Sequence, residues 1–477
     1  MRYVFRGFSI CVACVILMAG TATGSGLATI GVGSRALGMG GAFRAIADDW
    51  SAAYWNPAGL AQLQENQLDF TLLVVDPRPT YTPAGTAEMM GTGFNLKGGE
   101  RYPIDRPLPY PAFSGFVQLP SVEGLTFGAA IYWTNDANFL WDLYDLPDWY
   151  NATVPLTESE YRMDLDVWDF HPTAAMELTD KLSAGIGLSI QRGDLFFKRI
   201  HLFENIWGSP QDVYPYNWFV GEIDFDGNGM GIGANAGLMY KYNEKVTFGF
   251  STQTPVTIGL SGVSNIWLIF PQNNGLGGMA ADTNYNDYYE GGYHYDRKAF
   301  DLDLKLPGSL GFGAAYKANE QWTLAADLAV TFWSQMDEWR FTFADGGLEL
   351  HMKNLEPITK YVMPLNYKDQ FQLSLGAQYV ATENWIFRGG YYFDQTAVPD
   401  ETLKPYFPDY GSRHGLSAGV SLLLQRWELS GRVNASFSGT RTVSELSDVN
   451  NDGQYDNFPG EYTQNKFEIL LSTKYRF

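Results

Sequence analysis

Beyond about residue 65 the chain is written in twos. Trp322, Leu324, Ala326, Leu328, Val330 and Phe332 alternate with Thr323, Ala325, Asp327, Ala329 and Thr331. Phe371-Leu373-Leu375-Ala377-Tyr379, Ile232-Ala234-Ala236-Leu238-Tyr240 and Trp427-Leu429-Gly431-Val433-Ala435-Phe437 repeat the pattern. Successive side chains leave a strand on opposite faces, so each run predicts a strand with one apolar and one polar side. A β-sandwich and a membrane barrel share this alternation; the connections separate them. Short links at 120–124, 179–182, 242–245, 318–321, 381–384 and 425–426 alternate strictly with long polar-aromatic stretches at 76–110, 135–169, 201–228, 261–300, 342–366, 396–412 and 442–465. That is the rhythm of periplasmic turns and extracellular loops in outer-membrane barrels. Six turns and seven loops join fourteen strands. The expectation is an all-β, fourteen-stranded antiparallel transmembrane barrel over 66–477.

No stretch of 18 apolar residues follows the leader, so spanning helices are not expected. In lipid every backbone donor and acceptor needs an internal partner, and without helices only a closed barrel provides it. Residues 1–25 read as a secretory signal: Arg2 and Arg6, an apolar Ser9–Gly20, then a small-residue tract with cleavage expected within 22–26. Both cysteines, Cys11 and Cys14, fall inside it, leaving the mature chain no disulfide or thiolate site. The final segment alternates Phe467, Ile469, Leu471, Thr473, Tyr475 and Phe477 with Glu468, Ser472, Lys474 and Arg476. An amphipathic strand with terminal phenylalanine resembles the signal read by the barrel-assembly machinery. The expected setting is therefore a bacterial outer membrane, with lipid and lipopolysaccharide around a monomer whose two termini are periplasmic. A net charge of −21 argues against nucleic acid as a partner.

Residues 26–65 differ from the rest. Gly31, Gly33, Gly38, Gly40 and Gly41 imply tight turns or close backbone contact. A dinucleotide loop is rejected, because no strand precedes it and the G-x-G-x-x-G spacing fails. Asp48 and Asp49 precede a short helical stretch that Asn56-Pro57 should end, since the residue before proline disfavours helix. This segment, with its Ala47-Asp48-Asp49 and Asn56-Pro57-Ala58-Gly59-Leu60, resembles the FadL/TodX family of outer-membrane hydrophobic-compound transporters. Further matches run in order through 235–262, 306–336, 367–394, 407–422 and 465–477, whereas 76–225 matches poorly. The resemblance implies a fourteen-stranded barrel whose lumen holds a partly helical N-terminal hatch at 26–65. It implies passive uptake of hydrophobic molecules (long-chain fatty acids or aromatic hydrocarbons) with sideways exit through the wall. It carries over Asn56, Pro57 and Ala58 as gate residues lying against a kinked strand.

Several constellations compete for attention. Gly415-Leu416-Ser417-Ala418-Gly419 fits G-x-S-x-G beside His414, but a nucleophile elbow needs a strand, a turn and a helix, and Ser417 sits in alternating strand sequence. With five unclustered histidines and no nucleophile–base pair, no enzyme is expected. Asp448, Asn450, Asp452, Gln454 and Asp456 carry oxygen at calcium-loop spacing around Gly453, though position twelve is Pro459; Ca²⁺ is the only cofactor the sequence suggests. Asp224-x-Asp226-x-Asn228-Gly229 starts likewise and then becomes strand. Aromatic-rich loops offer ligand-binding candidates: Phe139, Trp141 and Trp149 in one, Trp267 and Phe270 in another. A carboxylate would want a lumen-side cation, and Arg340, Lys353 and Lys360 are the cations near the loosest stretch. The competing readings are a polar-solute porin and a structural or adhesive surface barrel.

Overall fold

The computed structural model describes residues 26–27, 31–84, 95–96, 99–100, 108–119, 124–145, 160–204, 218–269, 293–347, 357–452 and 455–477. Fourteen antiparallel spans form one closed sheet. They are β1 (Gln67–Pro83), β2 (Leu108–Gln118), β3 (Leu125–Trp141), β4 (Tyr161–Thr179), β5 (Leu182–Glu204), β6 (Trp218–Lys241), β7 (Val246–Gln253 and Val256–Ile269), β8 (Tyr293–Leu306 and Ser309–Lys317) and β9 (Trp322–Thr331 and Glu338–Phe343). β10 (Lys360–Pro364 and Gln370–Val380), β11 (Trp385–Asp394), β12 (Arg413–Leu424), β13 (Trp427–Ser438 and Arg441–Val443) and β14 (Gly460–Arg476) complete the wall. β1 closes it against β14, from Gln67↔Arg476 to Pro83↔Gly460.

The strands are longer than the sequence reading allowed. β5 and β6 have 23 and 24 residues, against the roughly 9–11 that cross a bilayer. Much of the stretches assigned above to long loops is therefore strand. The reason is an inversion of polarity along each strand. Near the short turns, Trp322, Leu324 and Leu328 face out and Asp327 faces in. Nearer the long connections, Leu302, Leu304 and Leu306 are buried while Asp301, Asp303 and Lys305 are exposed. On β4, Met163, Leu165 and Val167 face in whereas Arg162 and Asp164 pair outside. Exposed Arg192–Asp194 and Arg340–Glu338 pairs lie on the same outer surface. Lysine or arginine facing mid-bilayer lipid costs about 2–4 kcal/mol, so this charged collar stands clear of the hydrocarbon. At the other end Tyr240, Tyr242, Tyr316, Trp322, Trp385 and Trp427 are exposed, as aromatic residues are at a membrane interface.

Proline and helical interruptions break the ladder at defined points. β7 to β10 are each interrupted at one level, by Thr254-Pro255, Pro307-Gly308, the 3₁₀ turn Trp333–Gln335, and residues 365–369. β2 and β3 pair only from Gln118↔Thr126 to Phe113↔Ile131, although both strands run further. In the unpaired stretch β2 carries Pro109 and Pro111, which have no N–H to give. Opposite, β3 shifts register against β4 between Trp133 and Asn135.

Candidate functional site

The N-terminal segment fills the short-turn half of the lumen. Between Gly31 and Leu63 almost every residue is buried. Two short helices, α1 (Ser34–Gly38) and α2 (Ala52–Trp55), are followed by a 3₁₀ helix at Pro57–Gln62. Asn56 ends α2, as expected; its extended backbone then starts the next turn, with Pro57 at the first position where its missing N–H is harmless. Asp49 accepts from the amide and hydroxyl of Ser51 at 2.9 and 2.6 Å, fixing the approach to α2. Asp48 pairs with Arg35 at 2.8 Å.

Wall glycines let this segment touch backbone directly. A Cβ on Gly237 would lie 2.0 Å from Asn56 Oδ1, and one on Gly185 2.3 Å from the Pro57 carbonyl carbon. Arg44 donates to Ser251 at 3.1 Å and pairs with Asp327 at 3.3 Å. The same Asp327 carboxylate accepts the amides of Phe43 and Arg44.

Asn56, Pro57 and Ala58 are thus placed on β5 and β6. Asn56 Nδ2 donates to the carbonyls of Arg44 (2.7 Å) and Leu238 (3.1 Å), and Oδ1 accepts from Ala58 at 3.2 Å. The irregular strand β3 is met by the 3₁₀ helix at Pro57–Gln62 and by α2 and its approach, where Trp50 and Tyr54 lie 6.3 and 6.0 Å from the Tyr132 ring. Gly59 explains the glycine of the motif: a Cβ there would meet the Ala47 carbonyl oxygen at 2.0 Å.

The long-loop half is lined and filled by apolar side chains. Phe139 and Trp141 are buried there on β3, 3% and 2% exposed, so they are inward strand residues and not an exposed loop cluster. Trp267 is half-buried on β7; Trp149 and Phe270 lie outside the described residues. Sequence reasoning missed most of this lining, including Phe197, Phe225, Trp339 and Phe341, with Phe225 stacked on Phe341 at 3.9 Å. It also missed that 396–412 folds inward, burying Leu403, Tyr406, Phe407 and Tyr410, with Tyr161 stacked on Tyr406 at 4.7 Å. The signal was present as Tyr161-Arg-Met-Asp-Leu-Asp-Val167, an alternating run inside a presumed loop, and as Glu338-Trp-Arg-Phe-Thr-Phe343, a second run that continues into one.

Of the cations considered for a carboxylate, Arg340 and Lys360 face out, and Lys353 lies outside the described residues. A buried cation in this half is Lys404, whose Nζ donates to the carbonyls of Pro364 and Thr402 at 3.3 and 3.4 Å. Burial in apolar surroundings lowers its ammonium to about 7.

In the candidate calcium loop the side chains engage the loop itself. Asp452 N donates to Asp448 and Asn450, and Val449 N donates to Asp456 at 2.9 Å. Among the described residues no three His, Cys, Asp or Glu side chains form a metal-holding group; Gln454 is not described. Asp224 instead accepts from Asn265 at 2.7 Å across the β6–β7 pair. Ser417 faces the lumen and donates to Asn434 at 2.9 Å.

Between the halves lies a cavity of about 130 Å³, floored by Arg44, Tyr54 and Trp55 and roofed by Val256, Leu306 and Trp333. It borders β3 at Tyr132, Thr134 and Asn135.

A closed barrel with an apolar interior above an inward-folded N-terminal segment defines an outer-membrane transport protein. The chain belongs to the outer membrane protein transport protein family (OMPP1/FadL/TodX), whose profile matches residues 13–477. A long-chain fatty acid transport protein of Salmonella typhi is 25% identical over 427 residues, covering 85% of this chain and 86% of that protein. The corresponding protein of Escherichia coli K12 is 27% identical over 218 residues, so that match spans 46% of this chain and 44%, under half, of that protein. Among solved structures, a Pseudomonas aeruginosa FadL homologue aligns over 95% of this chain and all of its own, at TM-score 0.73 and 17% identity. The P. putida toluene transporter TodX aligns over 94% and 99%, at TM-score 0.66 and 16% identity.

Proposed function

We propose that the chain takes up hydrophobic small molecules by passive diffusion, entering through the apolar long-loop half and leaving sideways between β2 and β3 into the bilayer. The relatives' names point to long-chain fatty acids or toluene-like hydrocarbons as the substrate class. In this reading residues 26–65 are a hatch that denies the direct route to the periplasm, and Asn56, Pro57 and Ala58 fix it in place. The long connections face outward and both chain termini the periplasm. Sideways exit keeps an apolar molecule out of periplasmic water, where it would forfeit ~0.8 kcal/mol per CH₂.

The observation that carries the reading is the end of β2–β3 pairing at Phe113↔Ile131, beside two prolines. Replacing Pro109 and Pro111 by valine returns two N–H donors to β2 and lets the ladder zip towards Leu108. Uptake of a labelled hydrophobic substrate by cells should then fall severalfold while the barrel stays heat-modifiable. Unchanged uptake by a properly assembled Pro109→Val/Pro111→Val protein would overturn the exit route. The orientation is checked separately: tags within 442–465 should be reachable on intact cells, and tags at 242–245 or 381–384 should not.

A further inference from the structure

The cavity between the two halves is polar, although it sits on the path proposed for greasy molecules. Its wall carries one directed chain of hydrogen bonds. Gln191 Nε2 donates to Ser189 Oγ (3.1 Å), whose hydroxyl donates to Asp169 Oδ2 (2.7 Å). His171 lies between Asp169 Oδ2 (3.1 Å) and Asn235 Oδ1 (3.0 Å), and Asn235 Nδ2 donates to the Ala53 carbonyl at 2.6 Å. That last bond fixes which way the Asn235 amide points.

The donors of this chain are used within it, and its acceptors are left over. Gln191 Oε1 has no hydrogen-bond partner among the described residues, and Asp169 Oδ1 has none beyond the neighbouring Tyr132 hydroxyl; their residues are 8% and 2% exposed. Buried acceptors of this kind call for a donor. Of the cations at the cavity or its edge, Arg44 is paired with Asp327 and Arg413 with Asp394, while Arg413 Nε has no hydrogen-bond partner among the described residues. An incoming carboxylate would face the like charge of Asp169 and Asp394, which line the cavity. A hydroxyl meets no such objection.

Val256, Leu306 and Trp333 line both this cavity and the apolar core above it. A single molecule can therefore hold its tail among the aromatic side chains and its head at Gln191 and Asp169. We propose that this cavity is a head-group site selecting neutral hydroxyl-bearing amphipaths, alcohols or phenols, over carboxylates and plain hydrocarbons of equal length. The inference rests on the reading that hydrophobic molecules pass through the lumen.

The test is binding of radiolabelled dodecanol, dodecane and dodecanoate to the purified full-length barrel in detergent, with binding to empty micelles subtracted. Wild-type protein should bind dodecanol about fivefold better than dodecane, the preference one buried hydrogen bond supplies. Gln191→Leu should erase most of that preference and leave dodecane binding unchanged; Gln191→Glu, which keeps an acceptor, should retain it. A merely structural role for Gln191 would instead lower both ligands together. Equal binding of dodecanol and dodecane by the wild type, dodecanoate binding more tightly than dodecanol, or equal losses in Gln191→Leu would each overturn the proposal. If none of the three binds, the transport reading itself fails; if dodecane binds as well as dodecanol, only the head-group site does.

Discussion

Compare the strand Asp301-Leu-Asp-Leu-Lys-Leu306 with the strand Trp322-Thr-Leu-Ala-Ala-Asp-Leu328. Both alternate, yet the first turns its leucines inward and the second turns them out. The wall is continuous; what changes is the medium outside it. Where lipid surrounds the barrel, apolar side chains are stable outside and the lumen must be polar, and that polar lumen is satisfied by the N-terminal segment. Where water surrounds it, charges pair outside and the interior is left free to be apolar. A barrel that stopped at the membrane surface would have no apolar chamber. The extra strand length creates one.

If the short-turn half is held by paired charge and the long-loop half by packed volume, the two should break differently. The largest effect belongs to Asp327→Ala, which strands Arg44 and frees the Phe43 and Arg44 amides. We expect a loss of about 3–5 kcal/mol in urea unfolding of the refolded barrel; combining Arg44→Met with Asp327→Leu removes the stranded charge but leaves the two amides unpaired, so it should recover only part of that loss. Next comes Phe341→Ala in the apolar half, expected to cost about 3 kcal/mol and to be largely rescued by Phe341→Leu, because volume and not polarity is missing. Recovery of Asp327→Ala by volume alone would break the contrast.

Asn56→Ala is the sharper, smaller probe, since it leaves the carbonyls of Arg44 and Leu238 without their donor. About 1–3 kcal/mol is expected. Adding Ala58→Leu, against the close contact at Gly185, should cut uptake while a heat-modifiable barrel persists. The remaining probe is pH. Folding holds Lys404 near 7, well below an ordinary lysine, so the folded state favours the neutral amine. Stability should rise as pH climbs from about 7 towards 10, as the penalty for burying the ammonium disappears. Lys404→Met should flatten that slope in a pH series of unfolding midpoints.

The number of strands and their turns were legible because lipid enforces strict alternation and short turns are short. The strand extensions were not, since alternation with reversed polarity looks like loop when aromatic and acidic residues are mixed. Residues 161–167 and 338–343 carried the pattern and were overlooked for that reason. The motif Asn56-Pro57-Ala58 was visible, but its partners were not: Leu238 is 182 residues away from Asn56, and no local rule links an amide to a carbonyl across a lumen. Pro109 and Pro111 were readable in principle. Proline in a central strand demands an edge or a break, and two of them, two residues apart, mark where β2 loses its neighbour. The hydrogen-bond chain from Gln191 to Ala53 joins four separate elements and exists only once the barrel has closed.

The seam between β1 and β14 carries a consequence for assembly. β1 directly follows the N-terminal segment, and its partner is the last strand of the sheet. Without β14 the lumen would be an open trough; in the closed barrel the segment lies against the backbone at Gly185, Gly237, Gly249, Gly376 and Gly390. Once β14 pairs, those same contacts are enclosed, and the segment can no longer leave as one body without reopening the wall. The β1–β14 seam is thus also the latch that keeps the inner segment inside the finished barrel.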